Sequence, residues 1–266
     1  MSRSRLLPVL ALLPIVGCAS GTAVRAGDVA PEPDPPSSAR GVVELMRDAY
    51  DGRWYETLEF RQRNTTYTAA GEARDAGEWL ERQRVPKLLR IDFVAPQANG
   101  SGILFRADTQ YVFDAGRLAQ ELPLLHPLLL LAADAYALPV DSTVRLIARL
   151  GIDTAVVRRG AWQGRPVHVV GAAADDSTSS QFWIDAERLL LVRLRHAQTA
   201  PNGRVVATDY HLTYQDVAGM PVPHEIVFHR GGRPYFRETY VDVRPNVAVA
   251  DDLFLPAHWA QGIPER

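Results

Sequence analysis

The sequence predicts a mainly β protein: a bent antiparallel sheet of about eleven or twelve strands, with helices covering its concave face. Three observations predict it. From Trp54 onward most segments alternate apolar and polar residues with a period of two. The connections between them are short and carry Gly, Pro, Asn or Asp, which suits hairpins and leaves no room for parallel crossovers. One segment, "LLHPLLLLAADAYALPVDSTVRLIARLG" (Leu124–Gly151), breaks the alternation with helical spacing.

The chain opens with "MSRSR", which places Arg3 and Arg5 ahead of the uncharged run Leu6–Gly17. A short basic region before an apolar stretch of this length is a secretory signal, too short to cross a bilayer, which takes roughly 20 apolar residues. Ile15-Val16-Gly17-Cys18 resembles the bacterial lipobox. That resemblance implies cleavage before Cys18 and acylation of its thiol, and Ala19 in place of an aspartate implies an outer-membrane anchor facing the periplasm. More than one acyl chain is needed for stable anchoring. Cys18 is the only cysteine, so no intramolecular disulfide can form. Residues 1–17 therefore read as a lipoprotein signal peptide and 18–38 as a flexible tether, rich in proline (Pro31, Pro33, Pro35, Pro36) and poor in bulky apolar side chains. Residues 39–266 form the body, of a size that suits one domain.

The whole chain carries a formal charge of −2, which becomes −4 once Arg3 and Arg5 leave with the signal peptide. Nothing in that balance points to nucleic acid.

Within the body, "ARGVVELMRDAYDG" (39–52) spaces Val42, Leu45, Met46, Ala49 and Tyr50 as one face of a helix ending at Gly52. "WYETLEFRQRNTTY" (54–67) then sets Leu58 and Phe60 on one parity and Glu59, Arg61 and Arg63 on the other, a strand with one wet face. Five more strands are expected at 77–84, 87–94, 102–107, 110–115 and 117–122, with turns at Pro86, Pro96, Asn99-Gly100, Asp108 and Gly116. In the interruption, Pro127 can start a first helix and Asp141 or Ser142 can cap a second. Leu128 to Leu131 are apolar on every side, so something must cover them. Its best apolar window, Leu124–Val140, is broken by Pro127, Asp134 and Pro139 and cannot span a membrane. Strands resume from Thr154 to Val243, with hairpin signals at Gly164, Asn202-Gly203 and Gly231-Gly232.

A large antiparallel sheet twists and curls around whatever covers one face. Helices tucked against the concave side would leave an apolar cavity. The candidate lining residues are Leu58, Phe60, Leu89, Ile91, Phe93, Ile103, Phe105, Leu128, Leu131, Phe182 and Ile184; each is otherwise simply core.

The order of elements resembles the LolA/LolB-like superfamily of bacterial lipoprotein carriers and receptors. The stretches that carry the likeness are "WYETLEFRQR" after its helix, "GEWLERQRVPKLLRIDF", "FRADTQYVFDAGR" and "YVDVRPNVAVADDLFLP", the last containing Asn246, Asp252, Phe254 and Pro256. The resemblance implies an unclosed β half-barrel with a helical lid, a lipid or the acyl chains of a lipoprotein as ligand, a role in transport or sorting, and no enzymatic activity. The carriers place an arginine directly before the proline of the second unit. Here Val85 stands there and Arg84 one residue earlier, on the opposite face of a strand, so that role is not carried over. RseB-like stress sensors share the fold and bind a periplasmic protein segment, which leaves a protein partner as the alternative; a purely structural lipoprotein is another.

Enzyme-like signals are weak. His224 and His229 are five apart in a strand-like context, whereas a zinc protease site needs two histidines four apart on a helix. Asp175-Asp176 lies in a hydrophilic turn without the ligand spacing of a calcium loop, and Asp251-Asp252 suits the start of a final turn. No nucleophile elbow or phosphate-binding glycine loop is present. No cofactor or metal is expected.

Overall fold

The computed structural model describes residues 35–94, 98–200 and 202–262. Cys18, the signal peptide and most of the tether lie outside them. All described elements belong to one compact unit, Pro35–Arg266.

The N-terminal helix α1 (Ala39–Tyr50) is capped by Ser38, whose Oγ accepts the Gly41 N–H at 3.3 Å. Six strands follow: β1 (Thr57–Tyr67), β2 (Ala73–Arg84), β3 (Leu88–Val94), β4 (Gly102–Arg106), β5 (Thr109–Asp114) and β6 (Arg117–Pro123). Then come α2 (Pro127–Ala132), a 3-10 turn (Asp134–Tyr136) and α3 (Val140–Arg149). Seven strands complete the sheet: β7 (Asp153–Trp162), β8 (Arg165–Gly171), β9 (Gln181–Asp185), β10 (Leu191–Thr199), β11 (Val205–Val217), β12 (Met220–Arg230) and β13 (Arg233–Pro245). Two 3-10 segments, Asp251–Phe254 and Pro256–Gly262, end the described chain.

The sheet has thirteen strands, one or two more than expected. β2 begins at Ala73, four residues before the expected 77. α3 starts at Val140 with Pro139 at its cap and no side-chain cap bond, so neither Asp141 nor Ser142 caps it. α2 does start at Pro127, and the His126 side chain accepts the Leu129 N–H at 3.0 Å.

The strand order is β6-β5-β4-β3-β2-β1-β13-β12-β11-β10-β9-β8-β7. Apart from β6 and β7, each strand pairs antiparallel with its neighbour in sequence, and β1 also pairs antiparallel with β13, Gln62 opposite Tyr240 and Asn64 opposite Glu238. That pairing decides the shape. It makes β6 and β7, consecutive in the chain, the two outer edges. In a flat sheet at roughly 4.8 Å per strand they would lie almost 60 Å apart. The connection Leu124–Ile152 is largely helical and short, so the sheet bends and the connection crosses its concave face. The sheet stays unclosed, a half-barrel roofed by helices.

The roof is lopsided. α1 packs against α3 and β7, and α2 against β10. Val42, Met46, Leu130, Leu131 and Ile147 meet Phe182, Ile184 and Leu194 in the main core beneath them. The roof is pinned to the opposite half through Asp134, which accepts the Lys87 N–H at 3.0 Å, and Asp108, which bridges Lys87 at 3.1 Å and Arg149 at 2.5 Å.

The back of β3–β5 is not a wet face. The C-terminal segments cover it, packing Phe254 and Trp259 onto Leu104 and Phe113. Arg90 is fully buried there, with its guanidinium 4.0 Å from the Trp259 ring centre, 2.8 Å from Asp92 Oδ1 and 2.8 Å from the Trp259 carbonyl. Asp251 and Asp252 start the first of these segments.

Candidate ligand-binding cavity

The helices stand over β7–β11, which leaves the concave face of β1–β5, β12 and β13 only partly roofed. A cavity of about 310 Å3 lies there, closed above by α2. Leu58 and Phe60 on β1, Leu89 and Ile91 on β3, and Ile103 and Phe105 on β4 form its apolar floor. These positions face inward because each strand contributes one parity, and antiparallel register stacks Ile91 beside Ile103 and Leu89 beside Phe105. Leu128 and Leu129 close the roof side.

His126 sits at this wall, edge-on to Phe105 with ring centres 4.6 Å apart. Burial lowers its pKa to about 4, and His196 pushes the same way. The ring is neutral at physiological pH, so Nδ1 is free to accept the α2 cap bond.

Seven of the eleven candidate lining residues meet at this cavity: Leu58, Phe60, Leu89, Ile91, Ile103, Phe105 and Leu128. Phe93 packs beside Trp79, ring centres 5.2 Å apart, in the small cluster under Leu129. Leu131, Phe182 and Ile184 are fully buried in the main core, because the roof rests on that half of the sheet. Arg84 points away from the cavity and pairs with Asp251 at 2.6 Å. His224 is exposed, while His229 stacks on His211 with ring centres 4.1 Å apart. Among the described residues no three His, Cys, Asp or Glu side chains gather as a metal site.

The wall also has a polar part, outside the residues expected to line it. Gln62 on β1, Glu81 and Gln83 on β2, and Glu238 and Tyr240 on β13 all line the cavity. Their parity is the available signal: Gln62 follows Leu58 and Phe60 at intervals of two, and Glu81 and Gln83 follow Trp79. The same alternation sends Arg82 outward, to Glu59 at 2.9 Å and Asp92 at 3.1 Å. Among the described residues no Lys or Arg lines the cavity. Burial therefore raises the Glu81 carboxyl well above the usual carboxylate range, and Glu238 adds to the rise. Burial pushes Glu238 up to about 8, with hydrogen bonds from Tyr240 and Gln62 offsetting part of it.

The chain is similar to a LolA superfamily protein, NE2245, from Nitrosomonas europaea, with a TM-score of 0.50 and 11% identity over 80% of this chain and 96% of that one. It is similar to a domain named for outer membrane lipoprotein sorting from Vibrio parahaemolyticus, with a TM-score of 0.55 and 9% identity over 83% and 97%. A DUF1329 family protein from Desulfovibrio piger gives a TM-score of 0.53 and 11% identity over 81% and 95%.

The chain has the LolA-type fold.

No family model and no curated protein matches the sequence. At such low identity the likeness is one of backbone geometry, and the polar wall of this LolA-type half-barrel is read from its own residues.

Proposed function

We propose that this protein is a lipid-anchored component of the bacterial envelope whose half-barrel binds a lipid, or an acyl chain of another lipoprotein, for transport or sorting. The observation that carries this reading is the cavity itself, a space with an apolar floor between the concave sheet and α2. Its volume of about 310 Å3 holds roughly ten methylene-sized groups if each takes about the ~30 Å3 of a liquid water. That is one chain or part of one, at the small end of ligand pockets. Burying ten methylenes gains about 8 kcal/mol before the losses of association, which points to micromolar binding at best. No bond is made or broken in this function. Cys18 supplies the anchor, and the tether lets the body stand off the membrane.

The test is to isolate the unacylated body, residues 38–266, from bacteria and examine it by native mass spectrometry, then to titrate it with a fluorescent fatty acid. Bound lipid or saturable uptake is expected; a body that arrives empty and takes up no probe refutes the carrier reading. Mass analysis of the mature N-terminus checks the anchor, and an unmodified thiol at Cys18 refutes it.

A further inference from the structure

The polar wall raises a separate question, because an apolar chain needs none of it. Glu81 on β2, Gln62 on β1 and Glu238 on β13 fall on one diagonal across three paired strands: Glu81 is opposite Phe60, Gln62 opposite Trp79 and Tyr240, and Glu238 opposite Asn64. Successive members of the diagonal lie about 7–8 Å apart at their backbones, with Gln62 between the two carboxyls, and Glu81 and Glu238 still act on each other electrostatically across it. Gln62 and Glu81 are almost fully buried, at 1% and 3% exposure. Gln62 Nε2 donates to Asn64 Oδ1 at 2.7 Å, but Gln62 Oε1 and Gln83 Nε2 are buried with no hydrogen-bond partner. A buried polar atom left unpaired costs about 1–3 kcal/mol, and apolar side chains would serve a plain acyl pocket better.

We infer that the cavity takes a single-chain amphiphile with a primary amine head, its ammonium held by Glu81, Glu238 and Gln62 and its alkyl chain lying along Leu58, Phe60 and Leu89. This rests on the reading that the cavity holds an apolar chain, and it names the head group. The match is one of valence: a primary ammonium offers three N–H donors, and the diagonal offers two carboxyls and the unpaired Gln62 Oε1. Gln83 Nε2 remains to donate to an oxygen next to the amine. The charge also fits, since the carboxyls have no Lys or Arg partner on the wall and a cation would supply one. A fatty-acid carboxylate or a phosphate would bring a negative charge to a wall that offers no cation to meet it. The remaining titratable wall residues, Tyr55, Tyr210, Tyr240 and His126, carry no charge at neutral pH: burial raises the tyrosines and lowers the histidine. Glu238, raised to about 8, is largely protonated at pH 7, so an incoming ammonium displaces a proton.

Calorimetric titration of the body (residues 35–266, which hold every described core cluster) with decylammonium, decanol and decanoate at pH 7 tests the inference. Running it in two buffers of different ionisation enthalpy counts protons. Decylammonium is expected to bind at least about tenfold tighter than decanoate and to release about one proton. E81Q/E238Q should lose the preference and the proton release yet still bind decanol, whereas removing exposed charge with Asp48→Asn and Asp51→Asn should leave the preference intact. Should the double variant not fold, E81Q and E238Q singly carry the same expectation in weaker form. Decanol binding without an amine preference, or a preference that survives in E81Q/E238Q, overturns the head-group assignment and leaves the carrier reading standing. Failure of all three ligands overturns both.

Discussion

The Glu238→Gln substitution tests whether the polar wall is as dehydrated as its geometry implies. Glu238 is half-buried and lines the cavity, and among the described residues no basic side chain lies on that wall. Its carboxyl holds its proton to about pH 8 in the folded chain, against an ordinary value of 4.5. Between those values the unfolded chain has already ionised and the folded chain has not, so the unfolded state binds fewer protons and stability falls as pH rises. The full gap corresponds to roughly 5 kcal/mol, of which about 3–4 kcal/mol is lost between pH 5 and pH 8. Glutamine has nearly the same shape and does not titrate. The variant should therefore gain on the parent by about 3–4 kcal/mol over this range, or roughly 10 °C in Tm for a domain of this size. Urea unfolding of both proteins at several pH values, followed by tryptophan fluorescence, measures the difference; titrations remote from Glu238 cancel, and the relaxed Glu81 titration adds to the gain in the same direction. A difference that changes by less than about 1 kcal/mol, or that runs the other way, refutes the claim that burial without a cationic partner holds this carboxyl protonated.

The back of the sheet supplies two further predictions. Arg90→Ala removes the buried partner of Asp92 and the donor to the Trp259 carbonyl, and should cost about 3 kcal/mol, seen as a Tm lowered by roughly 6–12 °C in calorimetry. Gly102→Ala would set a Cβ 2.2 Å from the Ile91 carbonyl oxygen and 2.8 Å from the Trp259 ring. It should displace the C-terminal segment, and limited proteolysis should cut within 251–262 faster than in the parent. Ile103→Trp, on the cavity floor, should fill the space and abolish decanol binding while shifting Tm by only a few degrees, since overpacking here has room to relax.

Much of the architecture could be read from residue patterns. The alternation in Leu58–Phe60 and Leu89–Phe93 is local, and so is the switch to helical spacing after Pro127; both survive in the structure. The cavity's apolar residues were legible for the same reason, because parity fixes which side chains share a face. The polar ones were equally legible by parity, yet Glu81 and Gln83 sit between Arg82 and Arg84 in a run that looks like solvent-facing charge. Only the register shows that one half of that run points into the cavity and the other into ion pairs.

What the sequence by itself determined is the set of strands, the helical interruption and the likeness to the LolA-type half-barrel, all consequences of short-range periodicity and turn chemistry. The pairing of β1 with β13 is different in kind: it joins residues about 180 positions apart, and no local pattern encodes it. From that pairing follow the two free edges, the connection across the concave face and the choice of which half the helices cover. Phe182 and Phe60 look alike in sequence, but one is core and the other lines a cavity, because burial depends on what the rest of the chain lays on top.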